Sequence, residues 1–303
     1  MINQKVFFHI LITIFYLTSS VGQTAIRSPI QTSTPPLIFD VPVTYNKEVS
    51  RWIKYFQSTG RSTFKRWLEK SEKYFPIIQN ELIQANLPKD LAYLVMIESG
   101  FVANAKSMAD AVGPWQFIES TGERYGLRNL WWLDERRDLR KSTIAAIRYI
   151  KDLYVEFESW YLVAASYNMG ENGLNRVIKK YKTKDYWKLI KLNALPVETQ
   201  EYVPKFLAAM LIAKAPSLYG FRDLDILEPV KYQLITVPGG TEIDSIADYL
   251  GVTRHSLKEL NAELKFNKVP NEVPNHTIRI PVGTYKLAKQ FLIDNSDHIA
   301  MEN

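Results

Sequence analysis

The chain has 303 residues, 46% of them hydrophobic, and a formal charge of +6. That is enough apolar material for one large domain and a small one, and the mildly basic balance suits an anionic partner, whether cell-wall polymer, nucleic acid or membrane surface. The absence of cysteine excludes a disulfide framework, a zinc–thiolate centre and a thiol nucleophile.

The first residues read as an export signal. Lys5 precedes the apolar run Val6 to Leu17, and Thr18-Ser19-Ser20-Val21-Gly22 is a small-residue segment suited to cleavage before Gln23. The run is shorter than the roughly 20 residues of a membrane span. No cysteine follows it to carry a lipid. An exported protein, periplasmic or associated with the cell envelope and without a stable membrane anchor, is expected from residues 1–22.

Residues 23–45 are rich in Ser, Thr and Pro and read as an extended lead-in rather than folded core. Helical spacing begins at Asn46, with Val49, Trp52, Ile53 and Phe56 three and four apart, and ends at Gly60. A second helix is expected from about Ser62, and a third from Pro76 to Ala85. Pro88 fits the entry to a fourth, Leu91 to Glu98, which is apolar on every side up to its last residue and should be buried. Gly100 is placed to cap it. Glu98 thus leaves a dry segment and faces a break in the chain. Desolvation there favours the neutral carboxyl, as a general acid at neutral pH requires. A solvated glutamate at a helix end is the plainer alternative, and the helix alone does not separate the two.

Between Ser99 and Gly113 the chain is small-sided and polar, as a loop lying against an extended ligand would be. Gly113-Pro114 forces a turn, after which Trp115-Gln116-Phe117-Ile118 is expected to begin another helix. Gln116, flanked by aromatics, is read as a pocket-facing amide. Trp131 and Trp132 are either a ligand-stacking platform or core anchors, with core the expected place of at least one. Helices follow over Ser142–Phe157, Trp160–Asn168 and Thr199–Ala215. Tyr167 and Asn168 stand at a helix end before Gly170. Glu198 opens the last helix, where it suits the dipole, and Tyr202 lies in its first turn. His9 lies in the leader, and His255, His276 and His298 all lie beyond these segments. A Ser-His-Asp triad would therefore have to reach across domains, which leaves carboxylate chemistry.

Four motifs stand in order: Glu98-Ser99, then Gly113-Pro114-Trp115-Gln116, then Ala165-Ser166-Tyr167-Asn168-Met169-Gly170, then Glu198-Thr199-Gln200-Glu201-Tyr202-Val203. In this order and spacing they resemble the soluble lytic transglycosylase (SLT) domain family, across residues 75 to 215. The Gly-Pro-Trp-Gln-Phe-Ile form is most similar to its membrane-bound lytic murein branch. The resemblance implies a mainly α, lysozyme-like all-helical catalytic domain, here over residues 46–220, acting on the glycan strands of peptidoglycan without metal or cofactor. It implies Glu98 as the catalytic acid and base, and Ser99, Gln116, Tyr167, Asn168 and Tyr202 as substrate contacts, with Gly113 and Glu198 in support. A hydrolytic muramidase and a catalytically inactive glycan-binding protein are the alternatives. Nucleic acid is not expected, because the aromatics lie at core spacing rather than interleaved with Lys and Arg.

After a linker at 221–232 the texture changes. Tyr232 to Val237 has strand character, Ile243 to Leu250 and Ser256 to Asn261 are short helices, and Thr277 to Pro281 is a closing strand. This small α+β (βααβ) unit, residues 233–283, resembles a LysM module, which implies binding of N-acetylglucosamine-containing glycans. Gly239-Gly240-Thr241-Glu242 departs from the usual Gly-Asp-Thr-Leu turn. Residues 284–303 read as a polar tail.

Overall fold

The structure, a computed structural model, describes residues 37–295. The expected signal segment and residues 23–36 of the lead-in lie outside the described residues. Residues 37–45 form no helix or strand, yet they join the core rather than standing outside it as the sequence reading expected. Val41 is buried within it, the Asp40 N–H donates to Asp90 Oδ2 (2.7 Å), and the Tyr161 hydroxyl donates to the Pro42 carbonyl (2.9 Å).

Helix α1 (Lys47–Gln57) is capped by Asn46, whose side chain accepts the Val49 N–H. Helix α2 (Arg61–Gln84) runs unbroken through Pro76, where the sequence reading expected one helix to give way to another. Its buried residues Phe64, Leu68, Ser71, Phe75, Ile78 and Leu82 form one stripe on both sides of the proline. Packing of that stripe outweighs the lost N–H. A 3₁₀ turn, Lys89–Leu91, leads into α3 (Ala92–Ser99), in which every residue from Ala92 to Ile97 is buried.

Helices α4 (Glu119–Arg124), α5 (Leu139–Phe157), α6 (Trp160–Met169), α7 (Glu171–Tyr181), α8 (Tyr186–Lys191) and α9 (Val197–Lys214) complete the helical unit. Helix α3 lies against α2 and α9, and α9 also packs on α1 and α6. Pro204 sits inside α9 and cannot donate to the Gln200 carbonyl one turn earlier. The Tyr186 hydroxyl makes a bond there instead (3.1 Å), shared with the Thr199 carbonyl (3.0 Å). The turn that carries Glu198, Thr199 and Tyr202 is thereby pinned from α8.

Residues 221–231 have no regular structure and run beside α2, with Leu227 N–H donating to the Glu69 carbonyl and Val230 N–H to the Lys73 carbonyl, both at 3.0 Å. Strand β1 (Tyr232–Pro238) leads to α10 (Ile243–Leu250) and α11 (Arg254–Leu260), and β2 (Asn275–Pro281) pairs antiparallel with β1, Ile235 opposite Ile278. Ile235, Val237, Ile278 and Ile280 turn inward over a core completed by α10 and Leu257. The order is thus βααβ, as expected. The stretch expected as a polar tail instead forms α12 (Tyr285–Asp294), which buries Ala288 and Phe291 against that core. Three-residue spacing of those two among lysines makes a narrow apolar stripe, easily read as polar sequence.

The module is joined to the helical unit by backbone bonds, Asp134 N–H to the Glu263 carbonyl (2.8 Å) and Lys265 N–H to the Trp132 carbonyl (2.9 Å). Arg279 closes the seam as a half-buried cation between two buried carboxylates. It donates to Glu263 (2.7 Å) and, closer still, to Asp138, the N-cap of α5.

Candidate active site

The site is built where α3 ends. Gly100 caps the helix in the left-handed region at φ 58°, and a Cβ there would stand 2.1 Å from the Trp67 indole nitrogen. Glycine is thus required twice, for backbone angle and for space. The cap brings Glu98, the last side chain but one, to the mouth of an otherwise dry helix.

Glu98 is partly accessible, yet protein surrounds its carboxyl, and burial raises its pKa from 4.5 to about 7. A hydrogen bond from Tyr202 and the Lys205 ammonium both pull the other way, while Glu198 adds a smaller upward push. The Tyr202 hydroxyl donates to Glu98 Oε1 in a short bond. No hydrogen bond among the described residues engages Oε2, the oxygen left to meet a ligand. Glu198, Tyr202 and Lys205 lie on one face of α9 at spacings of four and three. Burial draws the Lys205 pKa below the ordinary lysine value. Its ammonium donates to the Ile97 carbonyl (3.1 Å) and lies 5.8 and 5.9 Å from the rings of Trp52 and Trp67. Sequence reasoning missed Lys205. It is a cation set in an apolar stretch of α9 seven residues after Glu198, and its partners lie on other helices.

The segment after Gly113 is a tight turn, not the helix expected at Trp115. Val112 and Phe117 exchange backbone hydrogen bonds (3.0 and 3.2 Å), Gln116 N–H donates to the Gly113 carbonyl (3.2 Å), and α4 starts only at Glu119. Gly113 has φ 89°, and a Cβ there would approach the Arg136 carbonyl to 1.9 Å. Gln116, at φ 52°, is a non-glycine residue in the left-handed region, a conformation of the kind that clusters at functional sites. Its amide donates to the carbonyls of Gly113 (2.8 Å) and Ala105 (3.3 Å), tying the turn to the polar loop before it.

The remaining candidates hold this frame. Ser99 Oγ donates to the Pro114 carbonyl (2.9 Å), and the Tyr167 hydroxyl to the Trp115 carbonyl (2.8 Å). Trp115 is fully buried, its indole donating to Thr143 (2.8 Å). Asn168 accepts from Thr199 Oγ1 (2.7 Å) and donates to Glu198 (3.1 Å), linking the end of α6 to the start of α9. Glu198 is exposed. The structure therefore gathers Glu98, Tyr202, Lys205 and Glu198 around one acid and ties Ser99, Gln116 and Tyr167 to the turn beside it. Trp132 is buried and Trp131 exposed. Among the described residues no His, Cys, Asp and Glu cluster could hold a metal ion.

Residues 75–190 match the family model described as Transglycosylase SLT domain, and this segment of the chain is similar to that domain. Two relatives, each called "Membrane-bound lytic murein transglycosylase D", come from Escherichia coli (strain K12) and Escherichia coli O6:H1. Each is 34% identical over 214 residues, 69% of this chain and 46% of the relative. The chain thus spans about half the length of the curated relatives it matches.

Proposed function

We propose that the chain is a lytic transglycosylase acting on peptidoglycan, cleaving the β-1,4 bond between N-acetylmuramic acid and N-acetylglucosamine. The observation that carries this reading is Glu98, raised to about 7 by burial and held by Tyr202. Near neutral pH such a carboxyl can give up a proton and take one back. Glycosidases ordinarily use two carboxylates. Here the other one at the site, Glu198, is exposed and tied to Asn168, which fits a reaction run by a single acid.

In the proposed reaction Glu98 protonates the glycosidic oxygen as the C1–O bond breaks, releasing the N-acetylglucosamine side with a free hydroxyl. The resulting carboxylate is stabilised by the Tyr202 hydroxyl and the Lys205 ammonium. It then takes the proton of the muramoyl C6 hydroxyl as that oxygen closes on C1. The product carries a 1,6-anhydro ring, Glu98 ends protonated as it began, and no water is consumed. The substrate's own N-acetyl group can stabilise the anomeric carbon between the two steps. Ser99, Gln116, Tyr167 and Asn168 keep the turn and helix ends in register around the bound sugars. The βααβ module is proposed as a LysM-like glycan binder, and the cell envelope as the place of action, in keeping with the relatives' name. The test is Glu98→Gln, which keeps the shape and the hydrogen bond but has no proton to give. Release of soluble fragments from purified sacculi should cease while the circular-dichroism spectrum is unchanged; retained release would refute the assignment.

A further inference from the structure

A cavity that does not include Glu98 runs along the seam between the helical unit and the module. It measures about 680 Å³ and meets a second of about 260 Å³. Asn104, Arg137, Lys258 and Ala262 line both, so the two form one groove. The groove begins at Phe101–Asn104 and Pro114, the chain that leaves Glu98 and the carbonyl that Ser99 holds. It is therefore continuous with the wall of the candidate site. Its combined size fits an extended ligand rather than a few waters.

The lining has the chemistry that recognises sugars. Along its length stand the amides of Asn104 and Asn267 and the guanidinium of Arg137, whose Nε is buried without a hydrogen-bond partner. Arg137 reaches Asn104 at only 3.4 Å and Asp134 at 3.7 Å. These are donors and acceptors for hydroxyl and acetamido groups. Phe266, which lines the smaller cavity, is 56% exposed, and beside it across the seam stands Trp131, 62% exposed, with ring centroids 5.7 Å apart. Two exposed aromatics, one from each half of the molecule, form a platform that neither half makes alone. Rings of this kind offer apolar faces to the C–H faces of pyranose rings.

We propose that this seam groove is a second binding site for the glycan strand, holding sugars several units from the bond that Glu98 cleaves, with Trp131 and Phe266 as its outer platform. The choice of polymer rests on the transglycosylase reading. The seam then makes the module a fixed extension of the cleft and favours long strands over short ones.

The test compares peptide-free glycan strands of two lengths, tetrasaccharides and strands of more than about twelve sugars, with wild type and Trp131→Ala/Phe266→Ala. KM for long strands should rise about tenfold in the double variant, with kcat and the short-strand KM unchanged. Equal KM values for long strands in the two proteins would overturn the proposal. If the pair only clasps the module, the variant loses melting temperature without losing long-strand preference, which also overturns it. Should the alanine variant fold poorly, Trp131→Tyr/Phe266→Tyr keeps the platform and should restore the preference. Binding of long strands to Glu98→Gln, with and without the double substitution, separates the two claims. If wild type cleaves nothing, the transglycosylase reading fails. The same tenfold loss in binding would still support the seam, and its absence would refute it.

Discussion

Replacing Tyr202 with phenylalanine tests the electrostatic logic of the site. The substitution keeps the ring but removes the hydroxyl that donates to Glu98 Oε1. That bond stabilises the carboxylate and so opposes the burial that raises the pKa to about 7. A hydrogen bond to a charged group contributes about 1.5–3 kcal/mol, and a pKa unit corresponds to 1.36 kcal/mol. Without the hydroxyl the pKa should climb by about one to two units. Because the protonated form starts the reaction, wild-type kcat/KM should fall as pH rises through about 7, and the alkaline limb of Tyr202→Phe should lie one to two pH units higher. The assay is release of soluble fragments from sacculi between pH 5 and 10. The limb position is independent of any loss in maximal rate. A limb that stays in place, or moves toward acid, would refute the reasoning.

Two further outcomes follow from buried charge. The raised Glu98 carboxyl disfavours the fold once it ionises. Its folded pKa of about 7 lies above the unfolded 4.5, so the native state binds the extra proton and stability falls as pH rises between those values. Glu98→Gln should therefore be more stable than wild type by up to about 3 kcal/mol above pH 7, with the gain shrinking on acidification and gone below pH 4.5, as read by thermal melts across pH. Equal melting temperatures at pH 8 would contradict the burial of that group. Arg279→Met strands Asp138 and Glu263 without their shared cation, which should cost about 3–5 kcal/mol in urea unfolding. A loss under 1 kcal/mol would mean that the seam is held by its backbone bonds alone.

What could be read from the sequence was what local chemistry dictates. The Leu91–Glu98 run has no polar face, so it had to be buried, and Gly100 had to end it. Those two facts made Glu98 a candidate acid, but only the packing around its carboxyl separates it from a solvated glutamate at a helix end. Alternating and three-to-four spacing likewise marked the βααβ order of the module. What escaped was decided by tertiary contact. Pro76 broke nothing, because its helix is held by a stripe of packed side chains. Trp115 to Ile118 had the look of a helix start, but the Val112–Phe117 pairing and the buried Trp115 made it a turn. Gln116 consequently spends its amide on the loop before it. Lys205 could not be assigned from its own helix, since its partners are the Ile97 carbonyl and two tryptophans from α1 and α2. The helix over Tyr285–Asp294 was hidden because its apolar stripe is narrow. The Trp131–Phe266 platform joins residues from two units, and no spacing in the chain announces it.

The measurement that bears most directly on the account is mass spectrometry of the soluble products released when purified protein meets peptidoglycan sacculi. Glycan closure by the C6 hydroxyl predicts 1,6-anhydromuramoyl ends, lighter by one water and without a reducing terminus. Products that carry reducing ends would contradict it, since water rather than the substrate's own hydroxyl would then have reached the anomeric carbon.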